Sequence, residues 1–203
     1  MDSFKTHRGL IATLDRANVD TDQIIPKQFL KSIARTGFGE NLFFDWRYRP
    51  DGSLNPDFSL NFPKFRGASI LVARRNFGCG SSREHAVWAI GQCGFKAVVA
   101  PSFADIFRNN CAKNSLLTIE LSEAEVEEIF QMADRYAGLE ATADVEEQRI
   151  VLHLAEEMAF HFDIDSAVKE RLIHGLDDIG LTLKNEEALR AFEARHDAQL
   201  FEK

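Results

Sequence analysis

Cysteine is scarce in this chain, and its scarcity narrows the chemistry open to it. Cys79, Cys93 and Cys111 are the only three among 203 residues. An odd count without a Cys-x-x-Cys unit excludes a disulfide framework and gives no self-contained zinc or iron–sulfur site. Long apolar runs are missing too: none approaches the roughly 18 residues of a membrane span. The opening Met1–Lys5 lacks the apolar stretch of a signal peptide, which sets a cytoplasmic expectation. Positive charge is in deficit, with 24 Lys and Arg against 32 Asp and Glu, a net charge of −8. That balance argues against nucleic acid and membrane surfaces as partners. An anionic small molecule would have to be drawn by a local group of cations, not by the field of the whole protein.

What is present is an ordinary globular composition, 45% hydrophobic, at a length that suits one domain. The chain is organised around Asn76–Phe77–Gly78–Cys79–Gly80–Ser81–Ser82–Arg83–Glu84–His85. An apolar run, Ala68–Ala73, precedes it and reads as a buried strand. Ala86–Ile90 with Cys93 follows at helical spacing. The decapeptide is therefore a strand-to-helix turn. Gly78 and Gly80 permit positive φ and a close approach to the backbone. Ser81 or Ser82 is placed to cap the helix, whose N-terminus attracts anions. Arg83 adds a fork of donors shaped for a carboxylate. Gly-Ser-Ser before a helix also serves simply as a cap.

Two better-known templates do not fit. A phosphate-binding loop needs Gly-x4-Gly-Lys-Ser/Thr, and no such lysine is here. A hydrolase nucleophile elbow needs a glycine two residues after the serine, and neither Ser81 nor Ser82 has one. His85 would lie one turn deeper in the helix, where packing or capping suits it better than partnering Ser81. His7, His153, His161, His174 and His196 fall in no paired ligand spacing and receive no role.

Around this turn the pattern is that of alternating strands and helices. Gly9–Leu14, Phe95–Ala100 and Leu116–Glu120 read as strands, and residues 103–114 as a helix. Ser122–Glu125 is a capping box opening a helix with Val126, Ile129, Phe130 and Ala133 on one face. Ile150–Leu154 belongs to a hairpin arm within Val145–His161. Asp165–Ser166 caps a helix that ends at Gly175. Asp20 and Asp22 lie in a polar turn, where paired carboxylates suit either Asx turns or acid–base work. Pro26–Gly39 reads as a helical turn running into a loop that carries Lys31 and Arg35. Residues 37–66 form a long irregular excursion. Its many aromatic rings argue for packing on the domain rather than for a disordered linker. Residues 185–203 read as a charged helical tail.

The decapeptide resembles the signature turn of the small, swivelling domain of the aconitase superfamily. Asn18–Val19–Asp20–Thr21–Asp22–Gln23–Ile24–Ile25–Pro26 resembles that domain's other signature. Pro101–Phe107 and Gly175–Leu183 follow in the expected order. The length and the final segment resemble the bacterial isopropylmalate dehydratase small-subunit family. The resemblance implies an α/β fold, an aconitase-type swivelling β/β/α domain with a layered sheet and flanking helices, over residues 1–203. It implies isomerisation of 2-isopropylmalate to 3-isopropylmalate by dehydration and rehydration, in leucine synthesis.

It further implies division of labour between two chains. A four-iron, four-sulfur cluster is expected in a large subunit, with no cofactor or metal bound by this chain. The partners would be that iron–sulfur large subunit and a small dicarboxylate. Ser81 matches the family serine that takes the proton from carbon as an alkoxide. Ser82 and Arg83 match residues that hold a substrate carboxylate, with the Gly80 backbone and His85 supporting them. Asp20 and Asp22 fall in a loop beside the site, and Lys31 and Arg35 in one that contacts the variable part of the substrate. Two alternatives stand beside this. One is a related hydro-lyase of homoaconitate, dimethylmalate or citraconate type. The other is a non-catalytic dicarboxylate-binding module.

Overall fold

The computed structural model describes residues 2–31, 35–176 and 192. Seven strands form one mixed sheet: β1 (Thr6–Leu14), β2 (Ile70–Ala73), β3 (Ala97–Ala100), β4 (Leu117–Glu120), β5 (Glu140–Asp144), β6 (Arg149–Leu152) and β7 (Met158–His161), in spatial order β4-β3-β2-β1-β5-β6-β7. β1 to β4 run parallel, and β5 to β7 form an antiparallel meander joined to the other edge of β1. The expected hairpin arm is thus a three-strand unit whose first strand, β5, begins before Val145. Ala-Thr-Ala is a weak strand signal on its own, and pairing with β1 makes it one.

β2 and β3 are buried at every position, as central parallel strands covered on both faces require. Their side chains divide by alternation into two cores. Leu71, Ala73, Val98 and Ala100 face one side with Ala12 and Leu14. Ile70, Val72, Ala97 and Val99 face the other with Ile11. The first core is closed by two helices, α3 (Glu84–Gln92) and α4 (Asp105–Lys113), and by the 37–66 excursion. The second is closed by α5 (Glu123–Arg135), α6 (Ser166–His174) and the meander. Two shorter helices, α1 (Thr21–Ile24) and α2 (Phe44–Arg47), lie between β1 and β2.

The excursion is ordered by its rings. Phe38, Leu42, Phe43, Phe58 and Phe65 are buried, and Phe43 stacks on Trp46 with centroids 5.6 Å apart. Each buried phenylalanine contributes about 2–3 kcal/mol, enough to hold so irregular a segment against the domain. Gln92 fastens it to the end of α3, accepting from the Phe38 amide at 2.9 Å and donating to the Arg35 carbonyl at 2.7 Å.

Capping follows the sequence closely elsewhere. Ser122 and Glu125 make the reciprocal capping box of α5. Asp165 caps α6, and Gly175 ends it in the left-handed conformation. The helical tail expected over 185–203 and most of Gly175–Leu183 lie outside the described residues. Among the described residues, no helix is long and apolar enough to cross a membrane.

Candidate active site

The loops that leave β1, β2 and β3 at their C-terminal ends are stitched side by side, prolonging the sheet beyond its strands. Asp20 bridges Cys79 and Phe77 bridges Phe103, both in parallel sense. The Gly78 amide donates to the Val19 carbonyl at 2.8 Å and the Thr21 amide to the Cys79 carbonyl at 2.9 Å. The Asn76 side chain reaches Asn18 at 2.9 Å while its amide donates to the Ser102 hydroxyl at 2.9 Å. Ligands of parallel α/β sheets gather at this edge.

A cavity of about 210 Å³ opens there, lined by Thr21, Gly80, Ser81, Ser82 and Arg83 on one side and by Ala104, Asp105, Ile106 and Phe107 on the other. The starts of α3 and α4 both border it, so the positive ends of two helices face one space. Gly80 turns the chain at φ +90. The Thr21 hydroxyl, in a residue only 2% exposed, donates to the Ser81 carbonyl at 2.8 Å and fixes the serine's backbone.

One local expectation fails. Neither Ser81 nor Ser82 caps α3; the capping position is Arg83, in extended conformation and with no side-chain cap bond. The physical reason is Arg83's own partner. Its Nη1 reaches Asp22 Oδ1 at 2.5 Å and the Ile25 carbonyl at 3.5 Å, drawing it toward α1 and delaying the helix. Both serine residues are exposed, and neither hydroxyl has a hydrogen-bond partner among the described residues. The capping role would have occupied these oxygens, and its loss leaves them open to a ligand.

Arg83 is the cation of the site, its side chain 10% exposed beside an Asp22 side chain 39% exposed. Only Nη1 is engaged among the described residues, so Nε and Nη2 remain for a carboxylate. Asp20 takes the turn role: its carboxylate caps α1, accepting from the Gln23 amide at 2.7 Å in a capping box. His85 packs between Phe38 and Trp88, centroids 5.2 and 4.8 Å away, and makes no hydrogen bond among the described residues. Lys31, exposed, ends a short 3-10 helix and Arg35 lies over the Trp88 ring at 5.7 Å. Neither lines the cavity.

Cys79 stands between the two glycines of the turn. Burial first, then the Asp20 carboxylate, pushes its thiol above the usual range, which keeps it protonated and weakly nucleophilic. Cys111 is fully buried and Cys93 accepts from Arg47 at 3.6 Å. With the thiols so dispersed, the donor set does not fit an iron–sulfur cluster, and among the described residues no group of three His, Cys, Asp or Glu could hold a metal ion. Thr21, Ala104, Asp105, Ile106 and Phe107 are lining residues to which sequence reasoning gave no site role. Thr21 sits between two aspartates in a turn, and nothing local signals a bond to a residue 60 positions away.

The chain matches the aconitase C-terminal domain family over residues 1–124, and residues 178–199 match the C-terminal domain of the 3-isopropylmalate dehydratase small subunit. A 3-isopropylmalate dehydratase small subunit of Methylibium petroleiphilum is 56% identical over 203 residues, covering 96% of this chain and 93% of the relative. One of Rhodopirellula baltica is 57% identical over 194 residues, covering 95% and 98%. A crystal structure of 3-isopropylmalate dehydratase from Methanocaldococcus jannaschii is similar, with a TM-score of 0.62 at 25% identity, over 93% of this chain and 99% of that one.

Proposed function

This chain belongs to the family of 3-isopropylmalate dehydratase small subunits, within the aconitase superfamily, and from that premise we propose that it supplies the base of the reaction. The enzyme is a hydro-lyase of leucine synthesis in which the small subunit works with a large one. The names of the relatives do not favour the homoaconitate-type or binding-module alternatives. In this reading the enzyme works in the cytoplasm and residues 1–203 make one swivelling domain.

The observation that carries the assignment is the pair of unpartnered serine hydroxyls beside Arg83 at the bordered starts of α3 and α4. Arg83 and Ser82 hold one carboxylate of 2-isopropylmalate through the donors that Asp22 leaves open. Ser81, as an alkoxide, takes the proton from carbon. A double bond forms as hydroxide leaves the neighbouring carbon, giving isopropylmaleate. Water then adds with the opposite regiochemistry, and Ser81 returns its proton. The four-iron, four-sulfur cluster is assigned to the large subunit, and the dicarboxylate and that subunit are the partners.

Magnitudes explain why two chains are needed. A hydroxyl as weakly acidic as water must be shifted by about 9 units to ionise near neutrality, or about 12 kcal/mol. A helix terminus contributes at most about 2 kcal/mol, and a charge at 4 Å about 4 kcal/mol at a surface-like dielectric. Two termini in a cavity open to water, with an Arg83 already shared with Asp22, fall short. A partner that covers the cavity would strengthen each of these terms by removing water.

The test is anaerobic turnover of 2-isopropylmalate by this chain alone, by its mixture with the reconstituted large subunit, and by the Ser81→Ala mixture. Turnover should appear only in the first mixture and fall by about a thousandfold or more in the variant. Sedimentation should show the variant still bound to the large subunit. Normal turnover by Ser81→Ala removes Ser81 from the mechanism.

A further inference from the structure

The excursion encloses a second space, apart from the one at Ser81. An inner cavity of about 150 Å³ is walled by Leu42, Phe43, Phe58 and Phe65 of the excursion and by Ala68 and Phe95 of the domain body. An outer, more polar one of about 660 Å³ has Tyr48, Asn61 and Gln92 in its walls. The two share Arg47, Arg66 and Cys93, and none of these residues lines the cavity at Ser81. Arg83 precedes α3 and Cys93 follows it, so nine residues of helix, about 14 Å, separate the two places.

The shared boundary carries positive charge that nothing answers. Arg47 is half-buried, yet its side chain has only neutral acceptors among the described residues: Asn61 Oδ1 at 3.4 Å from Nε and the Cys93 thiol at 3.6 Å from Nη1. The Arg66 side chain has no partner among the described residues, and Glu40, in the wall of the outer cavity, pairs with neither arginine. Elsewhere the half-buried arginines find carboxylates, Arg74 in Asp15 and Glu127 and Arg83 in Asp22. A guanidinium drawn partly out of water is costly without an anionic acceptor, and its fork is shaped for a carboxylate.

We propose that these joined cavities bind a monocarboxylate with a compact apolar group of about six carbons, the size of the ring that a 150 Å³ apolar cavity accepts. The apolar group fills the inner cavity, and Arg47 and Arg66 hold the carboxylate at its mouth. The inner walls offer no cation for a second carboxylate. An amino acid is selected against, because its ammonium would lie beside two guanidinium groups. The assignment is independent of the role of Ser81.

The experiment titrates the full chain calorimetrically with phenylacetate, with its neutral analogue phenylacetamide, and with inorganic phosphate. Phenylacetate should bind one to one and raise the Tm. The amide, which lacks the charge, and phosphate, which lacks the apolar group, should each bind about tenfold more weakly or worse. Arg66→Gln changes an exposed side chain and should weaken phenylacetate about fivefold or more, with Arg47→Gln weakening it further. Alkylation by iodoacetamide, followed by mass spectrometry, locates the ligand: phenylacetate should slow modification of Cys93 and leave Cys79, in the serine turn, unaffected. No binding, equal binding of the acid and its amide, or an affinity that Arg66→Gln does not change overturns the proposal. Protection of Cys79 in place of Cys93 also overturns it, since the acid would then occupy the cavity at Arg83. Should Arg47→Gln fail to fold, Arg66→Gln and the three probes still decide.

Discussion

At the scale of single residues, Gly78 sits at φ +76, and a β-carbon there would stand 2.2 Å from Cγ of Phe107. Gly67 has nearly the same backbone, φ +78, with nothing within 4 Å of that position. The two separate strain from collision. Gly67→Ala should cost about 1 kcal/mol, the penalty of a left-handed residue. Gly78→Ala adds a clash with a buried ring and should cost about 3 kcal/mol or more. Urea unfolding of both variants checks this, and equal costs would show that the Phe107 contact does not constrain the turn. The glycines of the motif were legible as permissive positions, because positive φ is a local property. The collision with Phe107 was not, since it depends on a helix well downstream in the chain. Arg83 shows the same limit: its charge and fork were readable, but its pairing with Asp22 was not, and that pairing decides where α3 begins.

Among the elements, α5 is the one whose start the sequence states outright. Ser122 and Glu125 satisfy each other's backbone amides, and both partners lie within one helical turn. Ser122→Ala should lower stability by about 1 kcal/mol. Since α5 packs on the face of the sheet opposite α3 and α4, kcat and KM of the assembled enzyme should not move. A change in KM would mean that the two faces are coupled through the sheet. The buried parallel strands were legible for a similar reason, as short apolar runs between turns. β5 was not, because its place beside β1 follows from a long return that passes through β4 and α5. The excursion was readable as packed from its aromatics, though its short helices were not, since none repeats a period long enough to see.

For the whole molecule, a net charge of −8 gives no long-range pull on an anion, so any preference for a dicarboxylate has to arise at the site itself. The resemblance gave the fold and pointed to the serine turn, but that the start of α4 borders the same cavity emerged only once three loops had been brought together. Those loops are joined by backbone bonds that continue the sheet, Asp20 to Cys79 and Phe77 to Phe103. The consequence is kinetic. Among the described residues these loops are joined before any partner arrives, so association at this edge is expected to be a meeting of finished shapes, at about 10⁵–10⁷ M⁻¹s⁻¹. In stopped-flow mixing, the observed rate should climb in proportion to the concentration of the large subunit. A plateau would reveal a step in which one chain must first rearrange, and in that case this half of the enzyme would be assembled by its encounter with the other rather than before it.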